Sequence, residues 1–349
     1  MRTFLSFVFV VSIAAGADRT YQLPCEITSV APSGDGKLVW VSCFTPDSKY
    51  RSPGVPAAED TRPSILYMVD SATGRLTDLL HGVGRIQIVA APVGAKAAIV
   101  VPGVITSKKG SAGKVLLYVG SREISAPPIG PEYITWSADA SRIYFHAGST
   151  IQADAWNILG VARLDTLVVS RTKLSVATED VNICRQSGHL FAGVVPFDNG
   201  RALPYPAAEY DPDLHYVGRN ARIPPGSFSA TCRYVATPSS FPHGPAPWRV
   251  VATATGLPLM QFEFEGEGRK EEFEFRSWNP AQEDLLIRFR YRASGPNDVK
   301  SDLQVFDVLR RLVIDSVPDF EGEAAWSSDG KSLILARGHS LVFHEVSPR

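Results

Sequence analysis

A six-residue phrase, Trp-Ser-x-Asp followed by a small residue and then by Lys or Ser, occurs twice in nearly intact form in this chain. It begins at Trp136 and at Trp326, and an alternating run of apolar residues follows in both places. An Asp-Gly or Asp-Ala pair between two β-rich runs is a hairpin signal, because these residues tolerate the backbone angles of a tight turn and Asp can bond its own main chain. Each phrase therefore predicts a turn between two β-strands.

Five weaker copies make this phrase a repeat. They begin at Pro32, Ala91, Cys184, Phe228 and Trp278, so that consecutive copies start 44 to 59 residues apart. A period of that length, with short strands throughout, matches a propeller blade of four antiparallel strands better than any helical repeat. No segment longer than about ten residues carries a convincing 3.6-residue apolar period. The sequence predicts an all-β fold, a seven-bladed β-propeller of four-stranded antiparallel blades.

The last repeat is one strand short. After the phrase at Trp326 the printed sequence has room for two further strands, Leu333–Ala336 and Ser340–Val346. The segment Thr20–Leu23 precedes the first complete repeat and has no other place to pair. We predict that this N-terminal strand pairs in the last blade and closes the ring, because closure removes two exposed sheet edges.

The phrases at Trp136 and Trp326 resemble the repeat of TolB-type propellers, which are similar in architecture to WD-repeat propellers. The resemblance covers nearly all of the mature chain and implies the propeller fold. It says less about function, because propellers of this broad group include periplasmic scaffolds, and similar propellers form the lid domains of prolyl-oligopeptidase-like enzymes.

The N-terminus is typical of a secretory signal peptide. Arg2 supplies a positive charge, Phe4–Ala15 is apolar, and Ala15–Ala17 contains small residues. We expect cleavage after Ala17, which leaves residues 18–349 as a single propeller domain. The apolar stretch is shorter than the roughly 20 residues of a membrane span. The sequence therefore predicts a secreted or periplasmic protein with no membrane span.

The charge pattern bears on the partners of the chain. The formal net charge is −1, and no run of Lys or Arg forms a local positive patch. A nucleic-acid-binding protein needs such a patch to neutralise phosphates. We therefore expect no nucleic-acid partner, and we expect a monomer that binds a protein or a glycan.

Export makes the four cysteines candidates for two disulfides. If the first hairpin turns around Gly34, Cys25 and Cys43 are each nine residues from its centre and would face each other across two strands. Cys184 would end the first strand of blade four, and Cys232 would lie in the first turn of blade five. That second pair could form a disulfide across two blades, with two buried thiols as the alternative.

The strands of a propeller blade are lettered a to d from the inside outwards, and the longest predicted connections join strands b and c. These polar loops, which include Phe44–Pro63, Asp198–Pro212, Thr237–Pro247 and Tyr291–Lys300, contain exposed aromatic and basic residues. Loops on a rigid scaffold are the usual place for recognition, and Tyr, Phe and Arg supply much of the energy at interfaces. The predicted ligand-binding or partner-binding residues are Tyr205, Tyr210, Phe241, His243, Tyr291 and Arg292.

A second candidate site is the mouth of the central channel, which strand a of each blade would line. Glu132, Asp180 and Glu274 each lie four residues before a copy of the phrase. Converging carboxylates could hold Ca²⁺ or a cationic ligand, because hard cations favour several oxygen ligands. The alternative is a water-filled channel with solvated charges, so no cofactor is predicted and the identity of any metal stays unknown.

Catalytic motifs are absent from the sequence. It contains no Gly-x-Ser-x-Gly elbow and no His-x-x-x-His or His-x-His pair with the spacing of zinc ligands. No residue is therefore assigned a catalytic role. The leading hypothesis is a noncatalytic scaffold that binds a protein, or a glycan, through its b–c loops. The alternative is a metal-dependent propeller hydrolase or lyase that uses the carboxylates at the channel.

Overall fold

The intact phrase folds into a turn held by its own Ser and Asp. In the copy at Trp136, the Ser137 hydroxyl lies 2.6 Å from an Asp139 carboxylate oxygen and accepts a hydrogen bond from the Arg142 amide at 2.9 Å. The Asp139 carboxylate also accepts the Ser141 amide at 3.0 Å. Hydrogen bonds from Ser137 and then from Ser141 lower the pKa of Asp139 to about 2. The Ser and Asp that recur in the phrase thus form the hydrogen bonds of a single turn.

The small residue at the fifth position of the phrase has a backbone reason. That residue lies in the left-handed region, with φ of 72° at Gly36, 54° at Ala140 and 69° at Gly330. A bulky side chain is strained in this region, whereas Gly adopts it without cost. The weaker copy in blade five places Cys232 there, with φ of 63°.

A computed structural model describes residues 18–45, 62–102, 113–127, 129, 134–146, 158–173, 180–193, 197–198, 201–202, 207–238, 248–262, 271–295 and 298–346. The predicted signal peptide lies outside these ranges. Within these ranges all regular secondary structure is β-strand, as the absence of helical periodicity in the sequence predicts. The strands form seven four-stranded antiparallel sheets and one two-stranded hairpin. The chain is a seven-bladed β-propeller.

The N-terminal strand and blades one and two account for nine strands. These are β1 (Arg19–Gln22), β2 (Glu26–Pro32), β3 (Leu38–Phe44), β4 (Pro63–Asp70), β5 (Leu76–Val83), β6 (Gln87–Ala90), β7 (Lys96–Val101), β8 (Lys114–Val119) and β9 (Arg122–Ile124). Blade one has the order β2-β3-β4-β5 and blade two has the order β6-β7-β8-β9. Each blade is a simple meander in which consecutive strands pair.

Blades three and four follow the same plan, with one addition. Their strands are β10 (Thr135–Trp136), β11 (Arg142–His146), β12 (Ile158–Arg163), β13 (Val169–Lys173), β14 (Asp180–Ile183), β15 (Leu190–Gly193), β16 (Phe197–Asp198), β17 (Arg201–Ala202), β18 (Ala207–Tyr210) and β19 (Tyr216–Asn220). Blade four has the order β14-β15-β18-β19, and the hairpin β16-β17 is inserted between its strands b and c.

Blades five to seven complete the chain. Their strands are β20 (Ser227–Phe228), β21 (Tyr234–Pro238), β22 (Trp248–Ala252), β23 (Pro258–Phe262), β24 (Glu271–Trp278), β25 (Leu285–Gly295), β26 (Asp298–Asp307), β27 (Leu312–Val317), β28 (Glu323–Trp326), β29 (Ser332–Arg337) and β30 (Ser340–Glu345). In blade six, β25 and β26 are the longest strands that the structure describes, with 11 and 10 residues.

The predicted completion of blade seven is confirmed. Strand β1 pairs antiparallel with β30, and Tyr21 lies opposite Leu341. The Leu23 and Ile27 amides then donate to the turn between β29 and β30, at His339 O and Gly338 O, each at 2.8 Å. The sheet order β1-β30-β29-β28 therefore gives blade seven its fourth strand from the other end of the sequence.

The chain divides into two compact units. One contains Met1–Pro131 and Gly322–Val346, and the other contains Glu132–Glu321. In the first unit, a core cluster joins Tyr21 with Val39, Val41 and Phe343, which links β1 to blades one and seven. In the second unit, the largest aromatic cluster lies between blades five and six and includes Trp278, at 8% exposure. Apolar faces of neighbouring blades thus pack on one another, as alternating strands require.

Candidate functional site

Connection length differs between the two ends of each blade. The a–b and c–d connections contain two to six residues, whereas the b–c connections of blades one to five contain nine to eighteen. In a four-stranded meander, the a–b and c–d turns lie at one end of the sheet and the b–c connection lies at the other. The long connections therefore emerge from the same end of each blade, where blade six carries its long β25–β26 hairpin.

The tip of this hairpin has a carboxylate and a phenol in contact. The Tyr291 hydroxyl donates to a Glu274 carboxylate oxygen at 2.6 Å, and Arg276 Nε lies 3.5 Å from the other oxygen. Burial, together with the hydrogen bond and charge of Glu274, raises the pKa of Tyr291 to about 12. Tyr291 is thus a neutral donor at physiological pH, and it orients Glu274.

A second polar group lies on the opposite face of the hairpin. Arg292 donates to Asp302 at 2.7 Å and lies 3.5 Å from Asp319, while Lys300 Nζ is 3.9 Å from Asp319. The Asp302 side chain is only 10% exposed, but those of Arg292 and Asp319 are 41% and 57% exposed. The group therefore has a buried anchor and charges that reach solvent.

Below this group, the same strand contains a buried arginine. The Arg288 guanidinium carbon lies 4.1 to 4.8 Å from the ring centroids of Phe262, Phe273 and Phe306, and its Nε donates to Gln304 at 2.9 Å. Arg288 is 7% exposed. Cation–π contacts and a hydrogen bond compensate for the lost hydration of the charge, so the base of the hairpin is firmly packed.

Two of the predicted site residues lie on this hairpin. Tyr291 and Arg292 were expected in a loop but belong to β25, because the ladder with β26 continues as far as Gly295 and Asp298. Arginines alternate with aromatic residues from Arg288 to Arg292. Because successive side chains of a strand point to opposite faces, the arginines lie on one face and Phe289 and Tyr291 on the other. This alternation is a strand signal in the sequence, and the expectation of a loop there was wrong.

Tyr210 was also expected in an exposed loop, and that expectation was wrong. It ends strand c of blade four, is 3% exposed, and belongs to the core cluster with Leu190 and Leu214. The true b–c connection of blade four ends before Ala207. Tyr205, Phe241 and His243 lie outside the described residues, and their role stays a prediction.

The acidic residues predicted at the channel have separate surroundings. Glu132 lies outside the described residues, and Asp180 begins β14. Glu274 is held by Tyr291 and Arg276, as described above. In the other unit, Glu323 at the start of β28 pairs with Arg85, which also donates to Thr28 O at 2.8 Å. Within the described ranges, no three His, Cys, Asp or Glu side chains are grouped closely enough to hold a metal ion.

Both cysteine pairs favoured by the sequence form disulfides. Cys25 is bonded to Cys43 with a Cα–Cα distance of 5.5 Å, and Cys184 is bonded to Cys232 at 5.4 Å. Cys43 lies opposite Ile27 rather than opposite Cys25, because the ladder next to the turn pairs Pro32 with Val39, which centres the hairpin after Asp35 and not at Gly34. The first disulfide therefore ties the start of β2 to the end of β3, and the second ties blade four to blade five.

Sequence reasoning missed Arg288, Asp302 and Asp319. Asp302 and Asp319 follow no motif: Asp302 meets Arg292 across the β25–β26 ladder, and Asp319 lies after the end of β27. Arg288 could have been found, since it follows the apolar run Leu285–Ile287 and a basic residue buried in a strand must be compensated.

Comparison with known proteins agrees with the fold. No family model matches the chain, and no curated protein matches it. Hydrazine synthase from Kuenenia stuttgartiensis aligns over 93% of this chain and 97% of its own, with 14% identity and a TM-score of 0.56. An oligogalacturonate lyase in complex with manganese aligns over 98% and 96%, with 10% identity and a TM-score of 0.55. These are likenesses of fold.

A third solved structure differs in how its propeller closes. The β-propeller domain of the trilobed protease from Pyrococcus furiosus aligns over 93% of this chain and 96% of its own, with 9% identity and a TM-score of 0.53. That domain is described as having an open velcro topology, whereas here β1 pairs with β30. The seven four-stranded blades confirm the β-propeller expected from the sequence. Among the described residues, no helix is long and apolar enough to cross a membrane.

Proposed function

We propose that this chain is a noncatalytic secreted or periplasmic β-propeller that binds a protein partner through the b–c end of its blades. The observation that carries the proposal is the difference in connection length. Blades one to five place nine to eighteen residues between strands b and c, and at most six in any a–b or c–d connection. Long connections on a rigid scaffold are where binding residues concentrate.

The blade six hairpin supplies a platform of suitable chemistry. Arg292 and Lys300 present charges that are about half exposed, and Tyr291 is oriented by Glu274. Tyr and Arg are enriched among residues that dominate binding energy, especially when neighbouring contacts hold them in place. The packed base around Arg288 fixes the hairpin, which reduces the entropy lost when a partner binds.

Two disulfides support an oxidising compartment. Disulfides persist in secreted and periplasmic proteins and are rare in the cytosol of mesophiles. The expected signal peptide at residues 1–17 agrees with this location. The proposed form is a monomer, and its mass in solution can be measured by light scattering.

Cross-linking in the native envelope or secretome, followed by mass spectrometry, tests the proposal. The test variants are Arg292→Ala and a loop variant with Tyr205→Ser and Phe241→Ser. Leu257→Ser, at an exposed position in a c–d turn, is the matched control. We expect one protein to be captured by the wild type and by the control but lost from a test variant. Equal capture by all four proteins contradicts the proposed face, and binding only to a glycan array would replace the protein partner by a glycan.

A metal-dependent hydrolase or lyase is the second candidate. The observation that favours it is the fold likeness to a lyase that is in complex with manganese. Glu132, Asp180 and Glu274 remain its proposed carboxylates, although Glu274 already contacts Tyr291 and Arg276. This candidate requires a melting temperature that rises with Mn²⁺ or Ca²⁺ and falls with a chelator. A melting curve that is unchanged by all three removes it.

A further inference from the structure

The c–d turn of blade six exposes a continuous run of apolar and basic side chains. Leu309, Arg310, Arg311, Leu312 and Val313 are all exposed, and the three apolar residues have 58%, 43% and 37% of their surface open to solvent. Single exposed apolar residues are ordinary on a protein surface, whereas apolar residues that lie together on it mark a site of interaction. We call these five residues the blade six turn segment. It lies at the end of the blade opposite to the b–c connection, so it is separate from the proposed partner-binding face.

The turn is fixed from the inside of the blade. Asp307 is 2% exposed and accepts the Arg310 amide at 2.7 Å, and Val308, also 2% exposed, packs in the core cluster with Phe306. The Val308 amide donates to Asp284 O at 2.9 Å, which ties the c–d turn to the a–b turn of the same blade. The core beneath the turn is therefore already filled, and the turn segment projects from a rigid base.

The two arginines of the segment direct positive charge to the same surface. The Arg310 side chain is 67% exposed, with its Nε 3.6 Å from an Asp307 oxygen. Arg311 is exposed and donates to the main-chain oxygen of Leu259 at 2.8 Å. A carbonyl oxygen holds a guanidinium group in place but does not neutralise its charge. The segment thus combines apolar side chains with exposed guanidinium groups.

Few acids lie near this segment, and they are less exposed than its arginines. The a–b and c–d connections of blades five and six lie wholly within the described residues, and they contain two acids, Glu283 and Asp284. Both are half-buried, and Glu283 is bonded into the first turn of blade five. The fully exposed charged residues on these connections are all arginines, namely Arg233, Arg310 and Arg311. A partner with negative charge therefore complements this end of the two blades.

A projecting turn with this chemistry matches an anionic lipid surface. Leucine side chains enter the boundary between headgroups and acyl chains, while long arginine side chains stay at the level of the lipid phosphates. Peptide ligands instead bind in grooves or add a strand to a sheet edge. The turn offers no groove of its own, and on the outer strand β27 the Ser316 amide already donates to the Asp315 side chain at 2.7 Å. A lipid surface therefore suits the segment better than a peptide does.

We propose that the blade six turn segment docks the protein on the surface of an anionic phospholipid bilayer. Leu309 and Leu312 enter the lipid boundary, and Arg310 and Arg311 bind lipid phosphates through charge-assisted hydrogen bonds. Each arginine near the anionic surface and each buried leucine adds to the association, which stays reversible because so few side chains take part. Docked in this way, blade six directs its b–c end away from the bilayer.

Sedimentation with sucrose-loaded vesicles tests this proposal on the mature protein, because the apolar residues 4–15 would bind lipid on their own. One set of vesicles is phosphatidylcholine, and the other is phosphatidylcholine mixed with phosphatidylglycerol. We expect the wild type to bind the mixed vesicles about tenfold more tightly, and added salt to weaken this binding. Leu309→Ser combined with Leu312→Ser should weaken it about tenfold or more. Arg310→Gln should weaken binding to the mixed vesicles about fivefold and leave binding to phosphatidylcholine unchanged.

Blade three offers a matched control. Leu167 and Val168, in the c–d turn of that blade, are 42% and 54% exposed, but an acid, Asp165, lies beside them in place of the two arginines. Leu167→Ser combined with Val168→Ser should therefore bind the vesicles as the wild type does. The melting temperature of every variant, measured alongside, identifies any loss of binding that comes from unfolding.

The proposal is contradicted by a wild type that does not bind the mixed vesicles, or by a leucine variant that binds them as the wild type does. Equal binding to both kinds of vesicle would remove the role of the arginines and with it the choice of an anionic lipid. An equal loss in the blade three control would show that exposed apolar residues act regardless of their position. A protein that is cross-linked to the wild type and lost from the leucine variant, without vesicle binding, would replace the lipid surface by a protein partner.

Discussion

Glu283, in the first turn of blade six, lies 2.8 Å from the Ser229 hydroxyl in the first turn of blade five. The same carboxylate accepts the Arg233 amide at 3.0 Å and contacts the Thr231 hydroxyl. In the intact turn of blade three, Asp139 makes the equivalent bonds to Ser137 and to the Ser141 amide. Blade five has Thr231 at the Asp position, so the neighbouring blade supplies the carboxylate that its turn lacks.

Removing this carboxylate should destabilise the chain. In Glu283→Gln, the bonds to the nearly buried Ser229 weaken, and we expect the free energy of unfolding to fall by about 1 to 3 kcal/mol. Adding Thr231→Asp restores an acceptor within the turn and should recover most of the loss. Urea titrations of the single and double variants measure both effects, with Gln282→Ala as an exposed control. A double variant no more stable than Glu283→Gln would show that the carboxylate does not act through this turn.

The carboxylate that Glu283 supplies explains how the copy of the phrase in blade five forms its turn without an Asp of its own. The sequence predicts each turn because its residues are local, as in Ser137 with Asp139. It cannot show that Glu283 completes a turn 54 residues away, since that contact depends on how two blades pack. The same limit applies to Arg292 with Asp319, whereas the misplaced Tyr210 reflects a loop boundary that local composition alone could not fix.

Acid should destabilise the intact turns. The pKa of Asp139 is lowered to about 2 by hydrogen bonds from Ser137 and Ser141, compared with an ordinary value of 3.8. A carboxyl with a depressed folded-state pKa stabilises the native state above its unfolded pKa, and this contribution is lost as the pH falls through the folded value. We expect urea midpoints to fall between about pH 4 and pH 2. Asp139→Asn keeps an acceptor but has no charge, so its midpoint should fall less over this range.

The strand that completes blade seven requires Gly74. This residue has a φ of 70°, and a Cβ at its position would collide with the ring of Tyr21. Gly74→Ala should therefore displace β1 and lower the free energy of unfolding by about 2 kcal/mol or more. The Gly94 turn also has a positive φ, of 69°, but nothing lies within 4 Å of an added Cβ. Gly94→Ala is the control for backbone strain alone, and equal losses in the two variants would contradict a role for Tyr21.

The two disulfides should differ in their contribution to stability. Cys184–Cys232 closes a loop with a sequence separation of 48, whereas the separation in Cys25–Cys43 is 18. In the chain-entropy model, a longer loop restricts the unfolded state more, giving roughly 4 kcal/mol for the first and 3 kcal/mol for the second. Replacing each pair by Ser and comparing urea midpoints tests this order. A larger loss from the Cys25 and Cys43 pair would indicate that local packing outweighs loop entropy.

The polar tip of the blade six hairpin can be tested through the titration of Tyr291. Burial and the Glu274 carboxylate raise its pKa to about 12 from an ordinary value of 10. The neutral phenol is thus favoured in the folded state, and this stabilisation is present below pH 10 and is lost as the pH rises through 12. Glu274→Gln removes the charge, so the Tyr291 pKa should fall.

NMR of protein labelled at the tyrosine ζ-carbon follows this titration directly, and Tyr291→Phe assigns the resonance. Glu345→Gln, at an exposed end of β30, is the matched control and should leave the Tyr291 pKa unchanged. A wild-type value near 10 would contradict the contact between Tyr291 and Glu274. A raised value that persists in Glu274→Gln would attribute the shift to burial alone, and the orientation of Glu274 by Tyr291 would then lose its support.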